Sequence, residues 1–337
     1  MGILKKIGLT IGIIILLFIA FVGTVWVFNP FAETVLVNDP EPFGQRINEN
    51  GLIANYYPVE GTGKYPAIVL LGGSEGGIGT GVTRIAQELQ KQNYAVLVVS
   101  YFGAPGQTDK LELIPLERFD KAIDWLKSQP NIDGNALAVM GASKGAEAAL
   151  IVATRRPELR TVIAGMPSSV AWQGYNPNLL KQIFTPPDGS WSLNGKAIPF
   201  LPYVREYVEG PFDLYQKSLA EAPIYPDAII PVENITGPVM LICGELDSLW
   251  PSCDMARQAQ RRAHERGGPK VHLLSYKGAG HAGFGVPLKP DHPRFELLGS
   301  IGGTAGDNNK AREESWEKIL VHLKTVFEAS RANSQKV

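Results

Sequence analysis

A serine hydroxyl becomes a useful nucleophile only when a base stands within hydrogen-bond reach and a third group orients that base. The chain contains residues spaced for this task. Gly141-Ala142-Ser143-Lys144-Gly145 directly follows an apolar run, Ala136–Met140, and a helical pattern opens at Lys144. Such a G-x-S-x-G turn between strand and helix is tight, so small residues must flank the serine, and its hydroxyl stands out above the sheet. The helix behind it adds partial positive charge and free N–H groups. The Lys144 N–H is therefore one expected oxyanion donor. A second should come from the loop after an early strand, where Gly72-Gly73-Ser74-Glu75-Gly76-Gly77 follows Ala67–Leu71. Gly73 and Ser74 are both candidates there.

The chain has 5 histidines. His264 and His322 fall in helical patterns, His272 in a strand and His292 in a proline-rich loop. His281 alone sits in a small-residue loop, Gly278-Ala279-Gly280-His281, just after a late strand. For the acid, Gly244-Glu245-Leu246-Asp247 forms the turn after Val239–Cys243, which points to Asp247, with Glu245 and Asp254 as rivals. The order Ser143, Asp247, His281 is the chain order of an α/β-hydrolase triad. Nucleotide motifs fail. A G-x-G-x-x-G starting at Gly77 would need glycine where Val82 stands, and Ser143-Lys144 reverses the P-loop order.

The elements that must carry these residues alternate. Candidate strands are Leu52–Tyr57, Ala67–Leu71, Ala95–Ser100, Ala136–Met140, Thr161–Ala164, Val239–Cys243 and Val271–Tyr276. Their Val, Ile and Leu content suits strands buried on both faces. Candidate helices are Val82–Gln92, Pro115–Ser128, Lys144–Thr154, Ser252–Arg266 and Lys310–Ala329, with Pro115 expected to open the second. Alternation of this kind predicts an α/β fold, a mostly parallel central sheet with helices on both faces. One stretch, residues 165–236, breaks the alternation. It carries Trp172, Trp191 and Tyr203 among many other aromatic residues, prolines and glycines. A stretch this long inside a domain reads as a cap over the carboxyl edge of the sheet, with those three residues as substrate contacts.

Composition limits the remaining possibilities. The 337 residues carry a net charge of −1, which argues against nucleic acid as a partner. The two cysteines, Cys243 and Cys253, exclude a disulfide framework and a cysteine-based zinc site. Two buried thiols are the expectation, with a local disulfide as the alternative in an oxidising compartment. No metal or cofactor is implied. Ile7–Phe28 is an uncharged run after Lys5 and Lys6, long enough to cross a bilayer. Its positive start predicts an N-terminus in the cytoplasm and the remainder on the exported side. A cleaved signal peptide is the rival reading, against which the run ends in Val25-Trp26-Val27-Phe28, a poor cleavage site. The expected organisation is an anchor over 1–28, a linker over 29–50, a catalytic domain over 51–330 and a tail over 331–337.

The chain resembles the catalytic domain of acyl-CoA thioesterases and bile acid-CoA:amino acid N-acyltransferases. The resemblance rests on Pro115–Phe119 leading to Ala122–Leu126, on Gly141–Glu147, and on Ser168–Gly174. It continues through Gly244–Asp247 with Trp250-Pro251-Ser252, Gly278–His281, and Gly302-Gly303 followed by Ala311 and Trp316. It implies Ser143, Asp247 and His281 as nucleophile, acid and base, and hydrolysis of an acyl ester or thioester. The conjugating members carry cysteine at the nucleophile, so serine implies transfer to water. The animal members place a β-sandwich before this domain, for which the stretch between the anchor and Pro66 is too short. A general carboxylesterase and a non-catalytic binding protein are the alternatives, and the intact set of three residues argues against the latter.

Overall fold

The computed structural model describes residues 2–28 and 35–334. An eight-stranded sheet has the order β1-β2-β4-β3-β6-β7-β10-β11. Its strands are β1 Gln45–Glu49, β2 Leu52–Tyr57, β3 Tyr65–Leu71, β4 Ala95–Ser100, β6 Ile132–Ala142, β7 Leu159–Gly165, β10 Val239–Gly244 and β11 Val271–Tyr276. From β4 through β11 neighbouring strands run parallel, while β1 and β2 are antiparallel additions at one edge. Three short strands, β5 Ile114–Pro115, β8 Trp191–Leu193 and β9 Lys196–Ala197, form a separate small sheet. The helices are α1 Gly2–Phe28, α2 Thr80–Lys91, α3 Glu117–Ser128, α4 Lys144–Ala153, α5 Leu179–Phe184, α6 Pro211–Ala220, α7 Ser252–Glu265 and α8 Ala305–Ser334.

Strand alternation divides the core between two faces. Ala67, Val69 and Leu71 of β3 pack on the face that holds Ile123 and Leu126 of α3. Ile68 and Leu70 turn to the opposite face, against Leu89 of α2 and Leu323 and Phe327 of α8. A third cluster forms where the 165–236 insertion meets α7, from Val170, Trp172, Leu201, Leu219, Trp250 and Met255.

Four sequence expectations change. The linker ends early, because Gln45–Glu49 is a strand with Ile47 buried beneath it. Asn50 and Gly51 connect it to β2 at φ 53° and 77°, and Asn-Gly accepts positive φ at both central positions of a tight hairpin turn. Pro115 does not open α3. It pairs with Ser192 in the small sheet, and α3 starts at Glu117. α8 begins at Ala305 and extends to Ser334, so most of the expected tail is helix. Cys243 and Cys253 form a disulfide with Cα atoms 5.1 Å apart, because α7 folds back beside the end of β10. The linker residues 29–34 lie outside the described residues, as do the last three of the tail.

Candidate active site

Register brings the site together. Leu71 stands opposite Gly141, Ala142 opposite Gly165, and Gly165 opposite Ile242. The loops after β3, β6 and β10 therefore leave the sheet side by side at its carboxyl edge, where open α/β folds bind ligands.

Ser143 has φ 54° and ψ −120°, a conformation that non-glycine residues rarely adopt. Its surroundings enforce it. The Ser143 N–H donates to Gly165 C=O at 2.8 Å, and Ala146 N–H returns to Ser143 C=O at 2.9 Å. A Cβ on Gly141 would lie 2.1 Å from Gly145 C=O, and one on Gly145 would lie 2.1 Å from Gly72 C=O. Two glycines thus let the elbow close against β3, for the reason the motif implied. The Lys144 N–H stands at the first helical position of α4.

The three residues expected from sequence lie in hydrogen-bond reach of one another. His281 Nε2 is 2.9 Å from Ser143 Oγ, and His281 Nδ1 is 2.8 Å from Asp247 Oδ2. The other oxygen of Asp247 accepts from the N–H groups of Leu249 and Trp250 at 2.9 and 3.2 Å. The Asp247 side chain is buried with both oxygens engaged, an arrangement that favours the tautomer with Nδ1–H facing Asp247 and Nε2 facing the serine. The His281 N–H donates to Ile301 C=O at 2.9 Å. Of the rivals for the acid, Glu245 pairs with Arg257 and Ser275, and Asp254 with Arg257, away from the imidazole.

The glycine loop after β3 is held from behind. The Tyr101 hydroxyl lies 2.8 Å from both Gly72 C=O and Gly73 C=O. In a trans peptide the N–H points opposite to the C=O. The N–H groups of Gly73 and Ser74 therefore point away from Tyr101, and a Cβ on Gly73 would lie 3.4 Å from Ser143 Cβ. Burial raises the Tyr101 phenol well above its usual range, so it remains a donor. Sequence reasoning passed over Tyr101, whose only signal is its place directly after β4.

The histidine loop is clamped by close backbone approach. A Cβ on Gly280 would lie 2.0 Å from Gly302 C=O, and one on Gly302 would lie 1.9 Å from Leu246 C=O. The fully buried Asn308 completes the clamp. Its Oδ1 accepts from Gly280 N–H at 2.8 Å, and its Nδ2 donates to the carbonyls of Leu298, Gly302 and Thr304 at 2.9 Å each.

Glu147 and Lys144 form a buried ion pair at 2.8 Å. Glu147 Oε1 also accepts from Trp172 N–H at 2.9 Å and Trp191 Nε1–H at 2.7 Å. Burial pushes the Glu147 carboxyl up and the Lys144 ammonium down, while these donors favour the charged carboxylate. The pair ties α4 to the insertion. The structure places Trp172 and Trp191, the expected substrate contacts, in the packed interior. Both are fully enclosed and face neighbouring side chains, Trp191 against Tyr101 and Phe119, and Trp172 against Tyr203 and Tyr215. Tyr203 is half-buried beside them. From Trp172 an aromatic path runs through Tyr215 and Trp250 to the His281 ring, with centroids 5.0, 5.4 and 5.8 Å apart.

Sheet order and the strand–turn–helix elbow define an α/β-hydrolase fold. Solved structures of similar fold include a putative dienelactone hydrolase from Klebsiella pneumoniae, with a TM-score of 0.51, 13% identity, and coverage of 83% of this chain and 97% of that one. A Pyrobaculum calidifontis esterase has a TM-score of 0.50, 17% identity and 85% coverage of each chain. More specifically, residues 114–328 match the model of the BAAT / acyl-CoA thioester hydrolase C-terminal family, and the chain belongs to that family. Curated relatives include acyl-coenzyme A thioesterase 5 of Mus musculus, 24% identical over 81% of this chain and 63% of the relative. Bile acid-CoA:amino acid N-acyltransferase of Mus musculus is 25% identical over 83% of this chain and 64% of the relative. The chain thus spans a little under two thirds of the length of these relatives.

Proposed function

We propose that the protein is a serine acyl hydrolase that cleaves an ester or thioester through an acyl-enzyme. The observation that carries this reading is the continuous contact from Ser143 Oγ to His281 Nε2 at 2.9 Å and from His281 Nδ1 to Asp247 at 2.8 Å. His281 takes the hydroxyl proton as Ser143 Oγ bonds to the acyl carbon. The oxyanion is held by Lys144 N–H with Gly73 or Ser74 N–H. The carbonyl re-forms as the bond to the thiolate or alkoxide breaks, and the leaving group takes the proton from His281. Water then loses a proton to His281 and attacks the acyl carbon, and as the bond to Ser143 Oγ breaks His281 returns that proton to Oγ, releasing a carboxylic acid and free Ser143. The family favours thioesters as substrates.

In the same reading α1 is a membrane anchor. It is a single helix long and apolar enough to cross a bilayer, and the positive charge of Lys5 and Lys6 before the apolar run favours a cytoplasmic start. The Cys243–Cys253 disulfide favours an exported catalytic domain, since such bonds persist in oxidising compartments. Coenzyme A esters are intracellular, so this observation supports a second reading, a carboxylesterase acting on exported or envelope esters. Hydrolysis of a long-chain acyl-CoA and of a p-nitrophenyl ester by the full chain, with Ser143→Ala in parallel, tests both. Thioester turnover that the substitution abolishes supports the family's chemistry. Turnover of the simple ester alone supports the carboxylesterase, and activity surviving Ser143→Ala would overturn the triad.

A further inference from the structure

α5 lies where the anchor ends, and one side chain joins them. Asn178 Oδ1 accepts from Lys181 N–H at 3.2 Å and so caps the start of α5. Its Nδ2 donates to Val25 C=O at 2.6 Å and to Trp26 C=O at 3.3 Å. These carbonyls belong to the last turn of α1, where a helix leaves them without intrahelical partners. The Trp26 and Phe184 rings also meet at 6.3 Å.

The depth of this junction follows from helix geometry. About 20 residues at ~1.5 Å per residue cross a hydrocarbon core of ~30 Å. Counted from Ile7, directly after Lys5 and Lys6, this span ends near Trp26, a residue type that favours the interfacial layer. Asn178 therefore holds α5 at that level. On α5, Ile183 is 61% exposed and Phe184 is 71% exposed, adjacent apolar side chains on a surface that water serves poorly. Tyr175 is half-exposed just before the helix, and an amphipathic ring of this kind also suits the interface.

We propose that α5 docks in the headgroup–acyl boundary of the bilayer that α1 crosses, with Ile183 and Phe184 inserted. The 165–236 insertion then meets acyl substrates presented by that bilayer rather than by bulk water. The proposal rests on the anchor reading above, and its test separates the two. The full chain is reconstituted in phosphatidylcholine vesicles, with and without bromine near the headgroup end of the acyl chains. Tryptophan quenching is compared for the parent, Phe184→Trp, and Val321→Trp on the distant exposed face of α8. The expected result is strong quenching of the tryptophan added at 184 and none of that added at 321. A tryptophan at 184 that brominated lipid leaves unquenched, in protein that alkaline carbonate fails to extract, overturns the docking while the anchor stands. That same lack of quenching with a blue-shifted emission would mean that a second copy of the chain covers α5, and overturns it equally. Extraction of the parent by carbonate overturns the anchor and the docking together. As a functional readout, Ile183→Asp with Phe184→Asp is expected to lower the ratio of vesicle-embedded to soluble ester turnover by about five-fold or more. An unchanged ratio overturns substrate delivery from the bilayer.

Discussion

Asn308 Oδ1 accepts the N–H of Gly280, the residue before His281, at 2.8 Å, although Asn308 lies on α8. The histidine proposed as the base is thus positioned by a helix outside the proposed triad. Asn308→Ala would orphan Gly280 N–H and remove the donor shared by the carbonyls of Leu298, Gly302 and Thr304. The expected cost is about 2–4 kcal/mol of stability. Activity should fall with it, and Asn308→Asp should recover only the Gly280 bond. Urea unfolding together with kcat checks this, and a wild-type midpoint for Asn308→Ala would refute it.

The conformation of Ser143 carries a cost. Positive φ at a residue with a side chain stores on the order of 1–3 kcal/mol. Ser143→Gly should therefore be inactive yet more stable than the parent by about 1 kcal/mol. Ser143→Ala should be inactive without that gain. Thermal unfolding of the two variants side by side distinguishes strain at the elbow from simple loss of a hydroxyl.

Tyr101→Phe keeps the ring packing and removes the hydroxyl that holds Gly72 and Gly73. The Gly73 and Ser74 N–H groups, proposed as oxyanion donors, should lose their alignment. We expect kcat to drop by about 10- to 100-fold with KM nearly unchanged, since an oxyanion donor acts in the transition state. A rise in KM at constant kcat would instead assign the loop to ground-state binding.

Glu147→Gln leaves the Lys144 ammonium in the core without its carboxylate. Breaking a buried pair from one side costs about 3–5 kcal/mol. Glu147→Gln with Lys144→Met should restore part of that loss. The double-mutant cycle, measured by denaturant unfolding, is expected to show strong coupling, and additive losses would refute the pairing.

His322 is buried on α8 with Nε2 2.7 Å from Thr161 Oγ1, and burial pushes its pKa down to about 4. In the unfolded chain it titrates near ~6.5. Between those values the unfolded chain binds a proton that the native state refuses, so stability rises with pH across this window. The contribution is complete above ~6.5 and lost as pH falls toward 4. Unfolding midpoints at neutral and mildly acid pH should differ less for His322→Gln than for the parent.

The sheet was legible because buried parallel strands are short apolar runs, and Leu52–Tyr57, Ala95–Ser100 and Val271–Tyr276 keep the boundaries expected from sequence. The β1–β2 hairpin was missed although Asn50-Gly51 signals it, since Gln45–Glu49 is polar and only Ile47 is buried. In the insertion, aromatic content pointed to ligand contact, whereas Trp172 and Trp191 satisfy Glu147 and fill the core.

By itself the sequence determined the elbow, because Gly141, Ser143 and Gly145 are local neighbours whose spacing sets one tight turn. It also determined the α/β alternation, the long apolar N-terminal segment and the candidates Asp247 and His281, each marked by the strand it follows. Only the tertiary structure decided the partnerships: Tyr101 behind the glycine loop, Asn308 behind His281, Cys243 with Cys253, and Asn178 against the end of α1. The physical reason is range. Turn geometry and hydrophobic period are written in consecutive residues, while a hydrogen bond between Asn178 and Val25 spans 153 positions and exists only once the chain has folded.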